Sequence, residues 1–170
     1  MSEMMPIQLR ALGAADVNAV LRIQAQCYGD GFAEPGEVFT RRLQSVGHCS
    51  WAAEQGGELV AYLAAYWSRP GAITPLNGDF ADYADASVLY LHDMAVSSVA
   101  AGQGLAQRLV QAVKTQARAR GVQRTALVSV QGSQLYWERQ GYKADSVTNA
   151  AQQQHLASYG EGAHYMVGII

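Results

Sequence analysis

Apolar and polar residues alternate from Ile7 to Ala11, which predicts a short opening strand. Asp16 then stands as a helix cap before Val17, Val20, Leu21, Gln24 and Tyr28, which recur at helical spacing. Gly29, Gly31, Pro35 and Gly36 interrupt the chain, and Val38 to Val46 reads as a second helix, giving a mobile helix-loop-helix. Cys49 to Glu54 and Leu59 to Trp67 are apolar, aromatic-rich runs on either side of Gln55-Gly56-Gly57-Glu58. A Gly-Gly pair supplies the positive φ angles of a tight hairpin, so these runs predict two antiparallel strands.

No period of 2 or 3.6 survives from Arg69 to Ser87, where Pro70, Gly71, Pro75, Asn77 and Gly78 mix with Asp79, Asp82 and Asp85. This is a long loop, of the kind that usually serves as a lid or binding segment. Val88 to Val96 is an apolar run that suits a central strand, broken only by His92 and Asp93. Leu105, Leu109, Val113 and Ala117 then recur every four residues within a helix predicted over Gly102 to Arg120 and closed by Gly121. Thr125 to Val130 reads as a buried strand, Ser133 to Gln140 as a short helix, and Tyr142 to Asp145 and His164 to Ile170 as the last strands. The middle of the chain is therefore a βαβ crossover inside an otherwise antiparallel sheet, in a single domain spanning 1–170.

Composition narrows the class. The 170 residues are 49% hydrophobic and 15% charged, which suits one globular core without a disulfide or metal staple. Cys27 and Cys49 form no CxxC pair, and His48, His155 and His164 lack the spacing of zinc ligands, so no metal is expected. No apolar run is long enough for a membrane span, and Met1 to Arg10 lacks the basic and apolar regions of a signal peptide. A cytoplasmic protein is the default. Residues 1–100 carry 5 basic and 11 acidic side chains, whereas 101–170 carry 7 and 3, so a net −6 is followed by a net +4. The basic part suits a phosphate-bearing ligand and the acidic part a cationic one; without a Lys/Arg run, a nucleic-acid partner is not indicated.

The chemistry concentrates where the strand ending at Val96 enters Ser97-Ser98-Val99-Ala100-Ala101-Gly102-Gln103-Gly104-Leu105-Ala106. A Gly-rich turn into a long helix aims consecutive backbone N–H groups, and the positive end of the helix dipole, at a phosphate or pyrophosphate. A P-loop would need Gly-Lys-Ser/Thr, and a dinucleotide fingerprint a third glycine where Gln107 stands. Neither is present. The turn instead resembles motif A of the GNAT-type N-acetyltransferases, Gln/Arg-x-x-Gly-x-Gly/Ala, with Ala101 in place of the usual first residue. Val130-Gln131-Gly132-Ser133-Gln134-Leu135-Tyr136-Trp137-Glu138-Arg139-Gln140-Gly141-Tyr142 is similar in spacing to that family's motif B. There Val130 stands for Asn, Ser133 for Ala, Trp137 for Tyr and Tyr142 for Phe.

The resemblance spans nearly the whole chain and implies a mixed, mostly antiparallel twisted sheet flanked by helices. It implies acetyl-CoA as co-substrate, with pantetheine beside Met94, Ala95 and Val96 and pyrophosphate on Ala101, Gly102, Gln103, Gly104, Leu105 and Ala106. Ser133 and Trp137 would lie near the thiol end. Acyl transfer to an amine needs a base, and histidine is the side chain whose ordinary titration falls near neutrality, which favours His92, with Asp93 as a base through water or as a substrate anchor. Trp137 cannot donate a proton to the departing thiolate; Tyr136, about 100° round the helix, is the alternative. On the acceptor side, Tyr28, Asp30, Phe32 and Glu34, and Asp82 from the long loop, set acids beside aromatics, as a cationic amine requires. The expected function is direct acetyl transfer from acetyl-CoA to a small primary amine, with a homodimer allowed by the resemblance. A non-catalytic CoA sensor or scaffold, and a protein lysine or N-terminal acetyltransferase, are the other readings.

Overall fold

The computed structural model describes residues 3–29 and 31–170. Seven strands form one sheet in the order β1-β2-β3-β4-β5-β7-β6: β1 (Ile7–Ala11), β2 (Trp51–Gln55), β3 (Glu58–Ser68), β4 (Val88–Val96), β5 (Arg124–Ser129), β6 (Lys143–Ala144) and β7 (His164–Ile169). Every neighbouring pair is antiparallel except β4 and β5. The βαβ reading of the middle of the chain is thus met. Gly56 and Gly57, at φ of 61° and 84°, turn the β2–β3 hairpin as the Gly-Gly pair predicts. β3 is buried from Leu59 to Ser68 because helices cover both faces of the sheet there, which is why its sequence is a continuous apolar run.

α1 (Val17–Tyr28) and α2 (Gly36–Gln44) lie on one face, where Val20, Ile23 and Phe39 join Tyr62, Tyr66 and Tyr90. α3 (Leu105–Ala119) lies on the other, with Leu105, Leu109, Val113 and Ala117 packed on Leu63, Leu89 and Leu127. That four-residue stripe is the one read from the sequence. Asp16 departs from expectation. Its side chain does not cap α1; it accepts from the Gly13 amide at 2.8 Å and from both terminal nitrogens of Arg10, closing a 3-10 turn ahead of the helix.

Residues 69–87 are irregular, as expected. Between α4 (Gln134–Arg139) and β7 the chain adds a helix that the pattern does not announce, α5 (Ala150–Ala157), started by Asn149 accepting from the Gln152 amide at 3.2 Å. The loop is tied to it: Gln152 accepts from the Ile73 amide (2.7 Å), His155 meets the Ile73 carbonyl (2.7 Å), and the Tyr159 hydroxyl donates to the Thr74 carbonyl (2.7 Å). No helix among the described residues is long and apolar enough to cross a membrane.

One irregularity positions the site. Ala64 of β3 pairs with Asp93 of β4, but Ala65 pairs with Leu91, so His92 is an extra residue bulging from β4. On the other side, β4 pairs with β5 only from Val88–Arg124 to Leu91–Leu127. Beyond Leu91 the two parallel strands part.

Candidate active site

The parting of β4 and β5 leaves a cleft of about 290 Å³ whose walls include Leu91, His92, Asp93 and Met94 on one side and Leu127, Val128 and Val130 on the other. Tyr28 from α1 and Ser133, Tyr136 and Trp137 around α4 complete it. Seven residues proposed from the sequence therefore meet here: Tyr28, His92, Asp93, Met94, Ser133, Tyr136 and Trp137. Ser133 spends its hydroxyl on the Val130 carbonyl (2.7 Å), which pins the turn into α4. Trp137 is half-buried and packs edge-on against Tyr142 at 5.3 Å. Tyr136, 39% exposed, lines the cleft beside it, so both aromatic residues of the Tyr-Trp pair reach the opening.

The Gly-rich turn lies at the head of α3. Gly102 and Gly104 stand at φ of 81° and 68°, the left-handed region that admits glycine readily. Ala101 differs from the expectation, because its amide donates to the Ser98 carbonyl at 3.3 Å and is spent inside the turn. Among the described residues the amides of Gly102, Gln103, Gly104, Leu105 and Ala106 have no protein partner, leaving a donor array at the positive end of a 15-residue helix. Between turn and cleft runs the strand edge that β5 has left. Its Met94 carbonyl accepts from the Tyr28 hydroxyl (2.6 Å), and its Val96 carbonyl faces the Cys27 thiol (3.4 Å). The Ala95 side chain is buried in the α1-side core, so this residue offers only backbone to the cleft.

The bulge also changes what His92 and Asp93 do. The His92 side chain is 2% exposed, and its Nε2 lies 3.0 Å from Glu34 Oε1. Glu34, 3% exposed, is held by both terminal nitrogens of Arg42 at 2.7 and 2.6 Å and by the Asn77 amide at 2.8 Å. Burial opposes the Glu34 charge, but the hydrogen bonds of Arg42 and His92 outweigh it and keep the carboxyl well below the usual carboxylate range. An ionised Glu34 can only accept, so in the neutral ring the proton sits on Nε2 and the lone pair on Nδ1. That Nδ1 is buried and has no partner among the described residues.

Asp93 accepts from the Tyr62 hydroxyl at 2.5 Å. Burial pushes its carboxyl above the ordinary aspartate range, against the opposing pull of His92 and Tyr62. Burial, and then the charge of Asp93, raise the Tyr28 phenol, so Tyr28 stays a hydrogen-bond donor.

Behind His92 and Asp93 a smaller space of about 50 Å³ is bounded by Tyr28, Phe32, Glu34, Leu76, Val128, Val130 and Tyr159. Phe32 stacks with Tyr159 at 6.5 Å. Phe32 and Tyr28 are thus placed together, as the sequence suggested, whereas Glu34 is consumed by Arg42 and His92. Asp82 is not brought here; it is exposed and lies beside Gly47. Asp30 lies outside the described residues. No cluster of three or more His, Cys, Asp or Glu side chains among the described residues is placed to hold a metal ion. Arg42, Tyr62 and Tyr159 were not foreseen. Arg42 left one signal: it follows Val38 and Phe39 by four and three residues on the buried stripe of α2, where a guanidinium must find an acid.

A model of the acetyltransferase (GNAT) family matches residues 17–142. No curated protein sequence matches the chain. Among solved structures, the Escherichia coli ribosomal-protein-S18-alanine N-acetyltransferase superposes with a TM-score of 0.68 at 15% identity, over 97% of this chain and 94% of that one. N-acetylglutamate synthase from Neisseria gonorrhoeae, complexed with coenzyme A and N-acetyl-glutamate, gives 0.69 at 18% identity over 96% of this chain and 35% of that one. The GphF GNAT-like decarboxylase in complex with isobutyryl-CoA gives 0.72 at 15%, over 95% and 98%. At these identities the likeness is one of fold.

Proposed function

The chain belongs to the acetyltransferase (GNAT) family, and from that premise we propose that it passes an acetyl group directly from acetyl-CoA to a small primary amine. The observation that carries the reading is the cleft where β4 parts from β5 beside the His92 bulge, backed by an acidic, aromatic pocket, with an array of free amides at the head of α3 beyond the end of β4. Pyrophosphate rests on the amides of Gly102 to Ala106, where neither side-chain charge nor metal is needed. Pantetheine follows the unpaired edge of β4 at Met94 to Val96, and the thioester reaches Ser133, Tyr136 and Trp137.

The amine enters past Phe32 and Tyr159 as an ammonium and is held by Asp93, with the Tyr62 hydroxyl steadying that carboxylate. No Lys or Arg lines this pocket, and Arg42 nearby is already paired with Glu34, so a substrate carboxylate has no cation to meet. This favours an amine without a carboxylate. The His92 lone pair on Nδ1 takes a first proton from the ammonium and passes it to solvent, which frees the nitrogen lone pair, and takes the second as the C–N bond forms and the C–S bond breaks. Tyr136 gives its phenolic proton to the departing thiolate and regains one from solvent. The docking of residues 69–87 on α5 narrows access, which favours a small acceptor over a protein tail.

The test is thermal unfolding with and without acetyl-CoA, followed by free-thiol release over a panel of small amines and acceptor peptides. Stabilisation plus release with carboxylate-free amines supports the proposal. Stabilisation without release from any acceptor supports a CoA sensor, and release only with peptides supports a protein acetyltransferase. Absence of any shift removes the CoA reading altogether.

A further inference from the structure

The tip of the long loop, residues 73–78, is fastened on both flanks of the smaller space behind His92 and Asp93. On one flank α5 and the residues after it hold the tip: Gln152 accepts from the Ile73 amide, the Tyr159 hydroxyl donates to the Thr74 carbonyl, and Ser158 Oγ accepts from the Leu76 amide at 2.9 Å. On the other, Glu34 accepts from the Asn77 amide at 2.8 Å and Arg42 Nε donates to the Gly78 carbonyl at 2.9 Å. Between these anchors Pro75-Leu76-Asn77-Gly78 closes a tight turn, with the Gly78 amide donating to the Pro75 carbonyl at 2.9 Å and Asn77 at φ of 64°. Asparagine tolerates that left-handed backbone, and a Cβ on residue 78 would lie 2.6 Å from the Pro75 ring, so the turn needs its glycine. The residue that all of this fixes is Leu76, half-buried and, among the described residues, the one side chain of the loop that bounds the space.

The space is an acid set among apolar walls. Asp93 stands beside His92, and Leu76, Phe32, Tyr159, Val128 and Val130 supply aliphatic and aromatic surface around them. A water takes about 10–15 Å³ of such volume, so the space of about 50 Å³ admits roughly four heavy atoms, a nitrogen and about three carbons. The hydrogen bonds on either side of Leu76 leave its backbone no freedom to withdraw. A longer carbon chain therefore collides with the isobutyl group rather than displacing it.

We infer that Leu76 sets the length of the acceptor, and that the acceptor is a short primary alkylamine of about two or three carbons. The inference rests on the acetyl-transfer reading above and adds to it a substrate class and the residue that selects it. The ammonium sits on Asp93, and the carbon chain fills the space against Leu76, Phe32 and Tyr159.

Free-thiol release from acetyl-CoA with ethylamine, propylamine, pentylamine and hexylamine, on the wild-type protein and on Leu76→Ala and Leu76→Phe, tests it through kcat/KM. The wild type is expected to use propylamine at least about 10-fold better than pentylamine, since each methylene too many in a fixed apolar pocket costs about 10-fold or more. Leu76→Ala removes the branched end of the side chain and should raise the pentylamine-to-propylamine ratio by at least about 10-fold, whereas Leu76→Phe should lower it further. Each ratio is taken within one protein, so poor folding lowers both rates together and leaves the ratio unmoved. A ratio that both substitutions leave unchanged, or a wild type that uses the four amines alike, overturns the inference and leaves acetyl transfer standing. Release only with aromatic or larger amines does the same. Release with peptides alone, or with no acceptor, removes the small-amine reading and the inference with it.

Discussion

Glu34→Gln is the most informative single substitution, because one carboxylate supports both the fold and the proposed base. Glu34 is 3% exposed and accepts from two Arg42 nitrogens, the Asn77 amide and His92, all within 3.0 Å. Glutamine keeps the volume but loses the charge and one acceptor, leaving Arg42, itself 1% exposed, as an uncompensated buried cation. Breaking a buried pair in this way costs about 3–5 kcal/mol. In a chain of this length that lowers Tm by roughly 10 °C or more. The sign with pH follows from the depressed pKa: the contribution of Glu34 is present above the ordinary glutamate range and is lost as pH falls toward its folded value. Urea unfolding followed from pH 7 to well below the ordinary glutamate range should therefore show a wild-type acid limb that Glu34→Gln flattens.

Activity separates the two roles of that carboxylate. Adding Arg42→Met removes the orphan cation and should recover a good part of the stability, as coupled neighbours do. It should not recover kcat/KM, because a glutamine amide can either accept from or donate to the His92 ring and so no longer holds its proton on Nε2. A loss below about 1 kcal/mol in Glu34→Gln would refute the claim that the pair is structural, and recovery of kcat/KM in the double variant would refute its role in setting the His92 tautomer.

Asp93→Asn should lower kcat/KM by about 100-fold or more, since the ammonium loses its counter-charge in a dry site. Its stability effect runs the other way. Burial raises the Asp93 pKa, so what this group adds is full below the ordinary aspartate range and is lost as pH rises through the folded value; the asparagine variant should melt higher than wild type at pH 7, with the gain vanishing near pH 4, which a thermal scan at both values checks. Gly104→Ala places a side chain at φ of 68° with no atom within 4 Å of the new Cβ, so steric collision is absent and only strain of about 1 kcal/mol is expected. Acetyl-CoA affinity, read by calorimetry, should fall by more than that because the donor array tilts. Tyr136→Phe removes the proton donor without disturbing the Trp137 contact; kcat should drop about 10-fold or more while KM for acetyl-CoA stays within about 2-fold, and an unchanged kcat would show that thiolate leaves unaided.

Much of this fold is written in local pattern. The β1 alternation, the Gly56-Gly57 hairpin, the apolar run of β4 and the four-residue stripe of α3 each fix an element through contacts a few residues apart. The head of α3 was legible for the same reason, since a Gly-rich turn is a local object. α5 was not, because Ala150 to Ala157 buries no residue and is held by Gln152 and His155 reaching the loop some 80 positions earlier. The site divides along the same line. His92 and Asp93 stand out as polar residues in an apolar strand, but the partners that define their chemistry do not. Glu34 is 58 positions from His92, Tyr62 is 31 from Asp93, and the bulge that turns both toward the cleft appears only in the pairing of β3 with β4. Asp82 shows the reverse error, in which an acid in a loop of suitable composition faces solvent elsewhere.

The central claim is that one ligand spans the head of α3 and the unpaired edge of β4. Amide chemical shifts and hydrogen exchange of the whole chain, recorded with and without acetyl-CoA, test it most directly. The account predicts protection and large shifts at Gly102 to Ala106 and at Met94 to Val96, with Tyr136 and Trp137 perturbed alongside. Perturbation confined to the crevice by Arg124 and Lys143 on the β5–β7 face, with Gly102 to Ala106 unmoved, would contradict it.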